Sequence, residues 1–207
     1  MRQTQNIRKN NKRDFLILAM EKNKIRCDWC KSDSLYQQYH DTEWGVPVYD
    51  DAILFEFLLL ETFQAGLSWI TILRKRENFS NAFDNFNYQK IALYNEVKIK
   101  DLLQNTGIIR NKLKVRAAVS NAQQFMKVQQ EFASFSKYIW AFVDNKPILN
   151  QPQTLRDIPA NTAISDIISK DLKKRGFKFV GSTTVYAFMQ AVGMVNDHVA
   201  DCWLAHK

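Results

Sequence analysis

KKRGFKFVGSTT, residues 173–184, is the stretch of this sequence that decides its fold. Before it, apolar residues recur at helical spacing up to Leu172, and after it a second helical pattern runs from about Thr184 to Val192. Gly176 stands where a helix ends in a left-handed residue. Gly181 lets the backbone approach a ligand just before the unpaired N–H groups of the second helix. The stretch therefore predicts a helical hairpin.

The hairpin has the chemistry of a phosphate-binding turn. Five Lys and Arg residues lie between residues 170 and 178, against the single acid Asp171. Their positive charges add to the positive end of the second helix dipole and to its free N–H groups, all of which favour binding of an anion. The alternative is an ordinary pair of antiparallel helices with a solvated basic face.

The rest of the chain also favours helices. Its 207 residues are 46% apolar and 24% charged, and the 6 Gly and 4 Pro are too few for a many-stranded β fold or a flexible linker. Asp50 and Asp51 offer an N-cap for a helix from Ala52 to about Phe63 that is apolar nearly all round. Gln64–Leu67 interrupts it, and a second helix is predicted from Ser68 to residue 76. Further helical patterns lie at residues 88–94, 97–104 and 111–128, and residues 144–163 are predicted to be a loop.

The net charge of +8 comes mainly from the N-terminal segment. Residues 1–26 hold eight Lys and Arg against two acids, so the remaining 181 residues carry only +2, and an argument for DNA binding must rest on them. The apolar run Phe15–Met20 is too short for a secretory signal or a membrane span, so we expect a cytoplasmic protein. Its 3 cysteines are then expected to be free thiols or metal ligands.

Two cysteine–histidine pairs could hold a metal together. His198 and Cys202 lie four residues apart and would share one face of a helix, while Cys27 and His40 offer a second thiolate and imidazole. Combined, they form the Cys2His2 set typical of a closed structural zinc site with no position for a reacting water. Alternatively, the histidines are ordinary packed side chains and the cysteines are small buried hydrophobes.

Glu61 is unusual because it shares a helical face with Leu54, Phe57 and Leu58. Burying a carboxylate without a partner is costly or forces its protonation, so Glu61 is expected to meet a donor or to serve a ligand. The alternative is a glutamate that reaches solvent at the end of its helix.

Several strings of this sequence closely resemble the DNA-3-methyladenine glycosylase I family, and the match runs in unbroken order from about Met20 to Trp203. The strings are RCDW at 26–29, YHDTEWGVP at 39–47, QAGLSW at 64–69, GIIR at 107–110, the hairpin stretch at 173–181 and NDHV at 196–199. The resemblance implies an all-α helix-hairpin-helix glycosylase fold, with residues 20–207 as a single domain and the hairpin at 176–181. Residues 1–19 lie outside the family pattern and are expected to be a disordered basic extension.

The resemblance also implies the activity, which is removal of 3-methyladenine from alkylated double-stranded DNA by hydrolysis of the N-glycosidic bond, without a lyase step. Methylation at N3 makes the base a cationic leaving group whose electron-poor ring stacks well on aromatic side chains. The nucleotide must first rotate out of the duplex into a pocket. A DNA-binding module without catalysis is the alternative, and a zinc hydrolase is a third class. Neither a membrane nor an obligate protein partner is implied.

Matching positions assign roles to individual residues. Glu61 accepts hydrogen bonds from the base edge and opposes the positive charge that develops on the sugar. The implied base pocket consists of Tyr36, Tyr39, Trp44 and Trp69. The implied DNA contacts are Gln64, Gly66 and Leu67, with Leu67 as the wedge that fills the stack, and Gly176, Lys178, Gly181, Ser182 and Thr183 in the hairpin. One structural zinc ion would tie the chain ends together through Cys27, His40, His198 and Cys202. Cys30 departs from the family pattern and is an alternative to Cys27 as the first thiolate ligand.

Overall fold

Helices build most of the structure, a computed structural model that describes residues 24–206. The expected basic extension at residues 1–19 lies outside the described residues. The α-helices of this range are α1 (Ser34–Thr42), α2 (Asp51–Gln64), α3 (Trp69–Leu73), α4 (Arg76–Ala82), α5 (Tyr88–Ile91), α6 (Glu96–Gln104), α7 (Lys112–Phe132), α8 (Phe135–Trp140), α9 (Ala163–Lys174) and α10 (Ser182–Ala191). Single-turn 3-10 helices lie at Asp28–Cys30, Asp84–Phe86, Ala141–Val143 and Leu155–Asp157.

Helix α2 is the centre of the core. Every residue from Leu54 to Phe63 is buried except Glu56, which is half-buried. The helix packs against α3, α7, α8 and α10. An aromatic chain continues the core from Phe55 to Phe125, with ring centroids 5.2 Å apart, and on to Phe135 at 4.2 Å. The prediction of a helix that is apolar nearly all round is confirmed, and a polar residue between Phe57 and Phe63 therefore lies inside the protein.

Side-chain caps fix the starts of the helices that matter for the site. The carboxylate of Asp50 accepts hydrogen bonds from the N–H groups of Ala52 and Ile53 at the start of α2. Asp51, the other predicted cap, instead accepts from the backbone of Phe135 at the start of α8. Asn111 caps α7 in the same way that Asp50 caps α2.

Residues 173–184 join α9 to α10 in a helical hairpin, and the two helices pack against each other. Gly176 has φ +96°, and the N–H of Gly176 bonds to the Lys173 carbonyl while that of Phe177 bonds to the Leu172 carbonyl, each at 3.0 Å. This pair of bonds is a Schellman motif, the helix ending that the glycine predicted. Helix α10 begins at Ser182, two residues earlier than expected.

Three expectations need correction. The fold is not purely α, because Ile148–Leu149 (β1), within the predicted loop at residues 144–163, pairs in parallel with Val195–Asn196 (β2). Strands of two residues are too short to show an alternating pattern. The helix predicted from Ser68 to residue 76 is two helices, since α3 ends at Leu73 and α4 begins at Arg76.

The third correction concerns the segment after β2, which carries His198 and Cys202. It forms turns rather than the expected helix, with the N–H of Cys202 bonded to the Val199 carbonyl at 2.7 Å. The described residues include no helix that combines the length and apolarity needed to cross a bilayer.

Candidate active site and metal-ligand cluster

A cavity of about 270 Å³ lies at one end of α2, near the lower end of the size range of small-molecule sites. Glu61, from the last turn of α2, lies in its wall. The aromatic side chains that line it are Trp29, Tyr36, Tyr39, Trp44 and Trp69. The four residues predicted for the base pocket therefore meet around the glutamate predicted to read the base.

The aromatic rings brace one another through edge contacts. Trp29 meets Tyr36 at 4.8 Å between ring centroids and Trp44 at 5.1 Å, both edge-on. Tyr39 lies 5.3 Å from Trp69 at an angle of 47°. Such tilted contacts are the favoured geometry of aromatic pairs, so the walls are held in place before any ligand arrives.

Trp29 was missed as a pocket residue although it stands in the first matching string, RCDW at 26–29. Gln190, from α10, also lines the cavity and carried no sequence signal. Its side chain donates to Asp197 at 2.7 Å, which fixes the amide against the wall.

Glu61 is 3% exposed, so the alternative interpretation, in which it reaches solvent, is wrong. Desolvation by burial raises its pKa to about 8, and its Oε2 has no hydrogen-bond partner among residues 24–206. The indole Nε1 of Trp69 is likewise buried without an acceptor in that range. A cavity whose wall contains one unused acceptor and one unused donor is built for a polar ligand.

Tyr39 faces the same environment. Burial and then the negative charge of Glu61 raise the pKa of the Tyr39 phenol well above its ordinary value. The hydroxyl therefore stays protonated at neutral pH and is available as a hydrogen-bond donor.

The turn after α2 presents an apolar side chain beside the cavity. Ala65 has φ −42° and ψ 114°, Gly66 has φ +82°, and the N–H of Leu67 bonds to the Gln64 carbonyl at 2.6 Å. These are the angles of a type II turn, which needs glycine at its third position. Gln64 lines the cavity, whereas Leu67 stands outside it with 41% of its surface exposed.

The predicted hairpin contacts lie on an open surface. Lys178 and Thr183 are exposed, and a Cβ added to Gly181 would meet no atom within 4 Å. Ser182 is tied to Ser165 by a 2.8 Å hydroxyl contact. Gly181 is the N-cap of α10 and provides no side-chain cap, so the first N–H groups of that helix are offered to an external anion.

The four predicted metal ligands form a buried cluster. The ligand atoms of Cys27, His40, His198 and Cys202 all lie within 4.8 Å of one another. Cys202 Sγ is 3.5 Å from both His40 Nε2 and His198 Nδ1, and Cys27 Sγ is 3.7 Å from His198 Nδ1. These separations suit four ligands around one tetrahedral ion whose bonds are about 2.0–2.3 Å long.

The two imidazoles are oriented by groups behind them. His40 Nδ1 lies 2.9 Å from Asp41 Oδ1, and His198 Nε2 lies 3.2 Å from the Trp44 carbonyl. If each outer nitrogen donates its proton, the other nitrogen turns its lone pair into the cluster, which is the usual arrangement behind a bound metal. Burial opposes ionisation of Asp41, but hydrogen bonds from Arg26 and His40 prevail and lower its pKa to about 2.

Cys30 lies outside the cluster. Its thiol donates to the Cys27 carbonyl at 3.1 Å instead of contacting a histidine. Cys202, by contrast, has its Sγ 3.5 Å from a ring nitrogen of each histidine, and a hydrogen bond from the Cys27 thiol lowers its pKa. The geometry therefore favours Cys27 over Cys30 as the thiolate from the N-terminal segment.

The cluster and the cavity share a wall. The ring of Trp44 lines the cavity and lies 4.6 Å from the His198 ring, while its carbonyl accepts from that histidine. Tyr39 and His40 are neighbours on α1, one in the cavity wall and the other in the cluster. A metal held here would join both chain ends directly behind the aromatic pocket.

A helical body with a basic hairpin and an aromatic cage around a buried carboxyl has the parts needed to hold a base extruded from DNA, which places it in the class of DNA glycosylases. The methyladenine glycosylase family model matches residues 29–206. The chain belongs to this family.

Individual relatives agree with that assignment over nearly their whole length. DNA-3-methyladenine glycosylase 1 of Escherichia coli K12 is 49% identical over 177 residues, which cover 86% of this chain and 95% of the relative. A crystal structure of 3-methyladenine DNA glycosylase I has a TM-score of 0.85 at 50% identity, covering 87% of this chain and 99% of its own. The Staphylococcus aureus enzyme, whose structure addresses 3-methyladenine recognition, also has a TM-score of 0.85, at 38% identity and with coverage of 88% and 97%.

Proposed function

We propose that this chain excises 3-methyladenine from alkylated DNA by hydrolysing the bond between the base and deoxyribose, with Glu61 as the residue that reads the base. The activity follows from membership of the family. The observation that carries the role of Glu61 is a buried carboxyl with an unpaired oxygen inside an aromatic cavity. A DNA-binding module would have no use for such a costly group.

The cavity suits a cationic purine better than a neutral one. When a base methylated at N3 enters, its positive charge favours the ionised form of Glu61 and opposes the desolvation that raises the pKa of this residue. The carboxylate then accepts from the amino edge of the base, and the aromatic rings stack on the electron-poor ring.

As the glycosidic bond breaks, its electron pair goes to N9 and the base leaves without charge. The positive charge passes to the sugar, where the Glu61 carboxylate stabilises it at short range and in a setting of low dielectric constant. Water then adds to C1′ and loses a proton, so the products are the free base and an abasic site.

We assign extrusion of the base to the two surface elements described above. Leu67 would fill the gap in the stack, with Gln64 and Gly66 beside it, because this leucine is exposed and lies in the sequence between Gln64 and Trp69, which both line the cavity. The helix-hairpin-helix element, residues 176–181 with Ser182 and Thr183, would hold phosphates through backbone N–H groups and Lys178 without reading sequence. The partner is therefore double-stranded DNA that carries alkylated bases.

We also propose that the Cys2His2 cluster holds one structural zinc ion. Two thiolates and two inward-facing imidazoles are the donor set of closed zinc sites, with no position left for a reacting water. The ion would join residues 27 and 202, which enclose most of the chain. The entropy cost of bringing two residues together grows with the length of the loop between them, so the metal bonds offset the largest cost here.

We propose that residues 20–207 form one catalytic domain and that residues 1–19 are an extension to it. We place the protein in the cytoplasm, since its substrate is DNA and its three cysteines are free and buried, as befits a reducing compartment.

The test is chromatography of the bases released from methylated duplex DNA by the wild type and by Glu61→Gln. We expect 3-methyladenine from the wild type and at least a tenfold lower rate from Glu61→Gln. Glu77→Gln is the matched control, since Glu77 is exposed and does not line the cavity. An unchanged rate in Glu61→Gln rejects the role of that residue, and no release by the wild type rejects the activity.

A further inference from the structure

Helix α7 carries two buried polar side chains that take no part in the chemistry above. Lys114 is 5% exposed and Asn121 is 2% exposed. They lie seven residues apart, so they share one face of the helix at a separation of about 10 Å along its axis. Buried polar groups are almost always hydrogen-bonded, so the partners of these two side chains show which parts of the fold they hold in place.

Lys114 is bonded to the end of the helix that bears Glu61. Its Nζ donates to the Phe63 carbonyl at 2.8 Å and to the Ala65 carbonyl at 2.5 Å. Carbonyls at the end of a helix lack partners within the helix and carry its partial negative charge. Lys114 therefore fixes the last turn of α2 together with the second residue of the type II turn that presents Leu67.

Asn121 is bonded to the hairpin. Its side-chain amide donates to the Lys178 carbonyl at 3.0 Å, and its carbonyl oxygen accepts from the Lys178 N–H at 2.8 Å. Both backbone groups of one residue are thus held by one side chain. The next residue, Phe179, has φ +56°, so the turn departs from ordinary backbone geometry at the point where it is pinned.

We propose that α7 is a spacer that sets the distance between the wedge turn, Gln64–Leu67, and the hairpin, with Lys114 and Asn121 as positioning residues for base flipping. The proposal rests on the function proposed above for these two elements. A duplex is stiff, so a protein that grips phosphates at one point and inserts a side chain at another must hold both at a fixed separation. A single helix bonded to both elements does this without relying on the loops, and misplacement by about 1 Å can cost about a hundredfold in rate.

The test compares Lys114→Met with Lys127→Met, which removes an exposed lysine from the same helix. Three properties are measured at a temperature where each variant is folded: excision from paired duplex, excision of a lesion placed opposite an abasic site, and affinity for free 3-methyladenine by quenching of tryptophan fluorescence. We expect Lys114→Met to lose at least tenfold on the paired duplex and to recover most of it opposite the abasic site, where the base is already poorly stacked. Its affinity for the free base should stay within twofold of the wild type, as should every property of Lys127→Met.

Asn121→Asp provides a second route that keeps the acceptor for the Lys178 N–H and removes the donor. We expect weaker binding to duplex DNA and unchanged affinity for the free base. The proposal is overturned if both variants excise from paired duplex within twofold of the wild type, or if the loss is the same on both DNA substrates. Failure of the proposed function is a separate result, because the wild type would then release no base from either DNA.

Discussion

Replacing Glu61 by glutamine should stabilise the protein while it disables the chemistry. The wild-type carboxyl has an ordinary pKa of 4.5 and, because burial desolvates it, a pKa of about 8 in the fold. A carboxylic acid whose pKa is raised by folding binds more protons in the folded than in the unfolded state. The free energy of unfolding therefore falls as the pH rises from about 4.5 to about 8, and it is insensitive to this group outside that window.

The size of the effect follows from the same two pKa values. Each pH unit inside the window is worth 1.36 kcal/mol, so this group costs about 1 kcal/mol at pH 5, about 3 kcal/mol at pH 7 and about 5 kcal/mol at pH 8.5. Glutamine has the same shape and does not titrate. Glu61→Gln should therefore gain on the wild type as the pH rises, and at pH 7 the gain corresponds to a Tm higher by about 6–12 °C for a chain of this length.

The assay is urea unfolding at pH 5, 7 and 8.5, followed by far-UV circular dichroism for the wild type, Glu61→Gln and the exposed control Glu77→Gln. The difference between Glu61→Gln and the wild type should widen with pH, while the control stays parallel to the wild type. A difference that is the same at pH 5 and pH 8.5 would refute the reasoning, since it would mean that the carboxyl is not held neutral by desolvation. Loss of activity in a more stable variant is the usual sign of a functional group kept at a cost in stability.

Three further changes test other parts of the site. Cys202→Ser should lower both the zinc content, measured by atomic absorption, and the Tm, whereas Cys30→Ser should keep the metal. Loss of zinc in Cys30→Ser but not in Cys27→Ser would reverse the ligand assignment. Leu67→Ala should slow excision from paired duplex about tenfold and leave affinity for free 3-methyladenine unchanged, and an equal loss in both assays would remove the leucine from the role of wedge. Lys178→Ala should weaken duplex binding to a similar degree for every DNA sequence. It should also reduce the slope of log affinity against log salt concentration by about 1, as expected when one phosphate contact is lost. An unchanged slope in a salt titration would contradict that contact.

The parts of the fold that were predictable are those set by local physics. The residues of α2 are apolar all round behind an N-capping aspartate, and the end of α9 is set by Gly176, so both elements were found with errors of one or two residues. The strand pair β1–β2 was not predictable in this way, because it consists of two residues at each of two places far apart in the sequence. The break between α3 and α4 falls at Arg74 and Lys75 without glycine or proline to mark it.

The site was predictable in its residues but not in its arrangement. The family resemblance implied Glu61 and four of the five aromatic residues, but no spacing rule shows that Trp29 shares their cavity. The choice between Cys27 and Cys30 depends on a turn that directs one thiol towards the histidines and the other towards a backbone carbonyl. Lys114 was overlooked because a lysine in a helix is normally exposed, and only long-range packing reveals the carbonyls that it caps.

The raised pKa of Glu61 also gives a physical basis for discrimination between 3-methyladenine and adenine. An undamaged adenine brings no positive charge into the cavity, so nothing opposes the desolvation of Glu61 and the carboxyl stays protonated at neutral pH. The same side chain that stabilises departure of a cationic base is then without charge beside a neutral one. Selectivity and rate therefore both depend on the electrostatic coupling between the charge of the base and the ionisation of Glu61. The cavity need not exclude an intact adenine, because it catalyses the release of that base poorly.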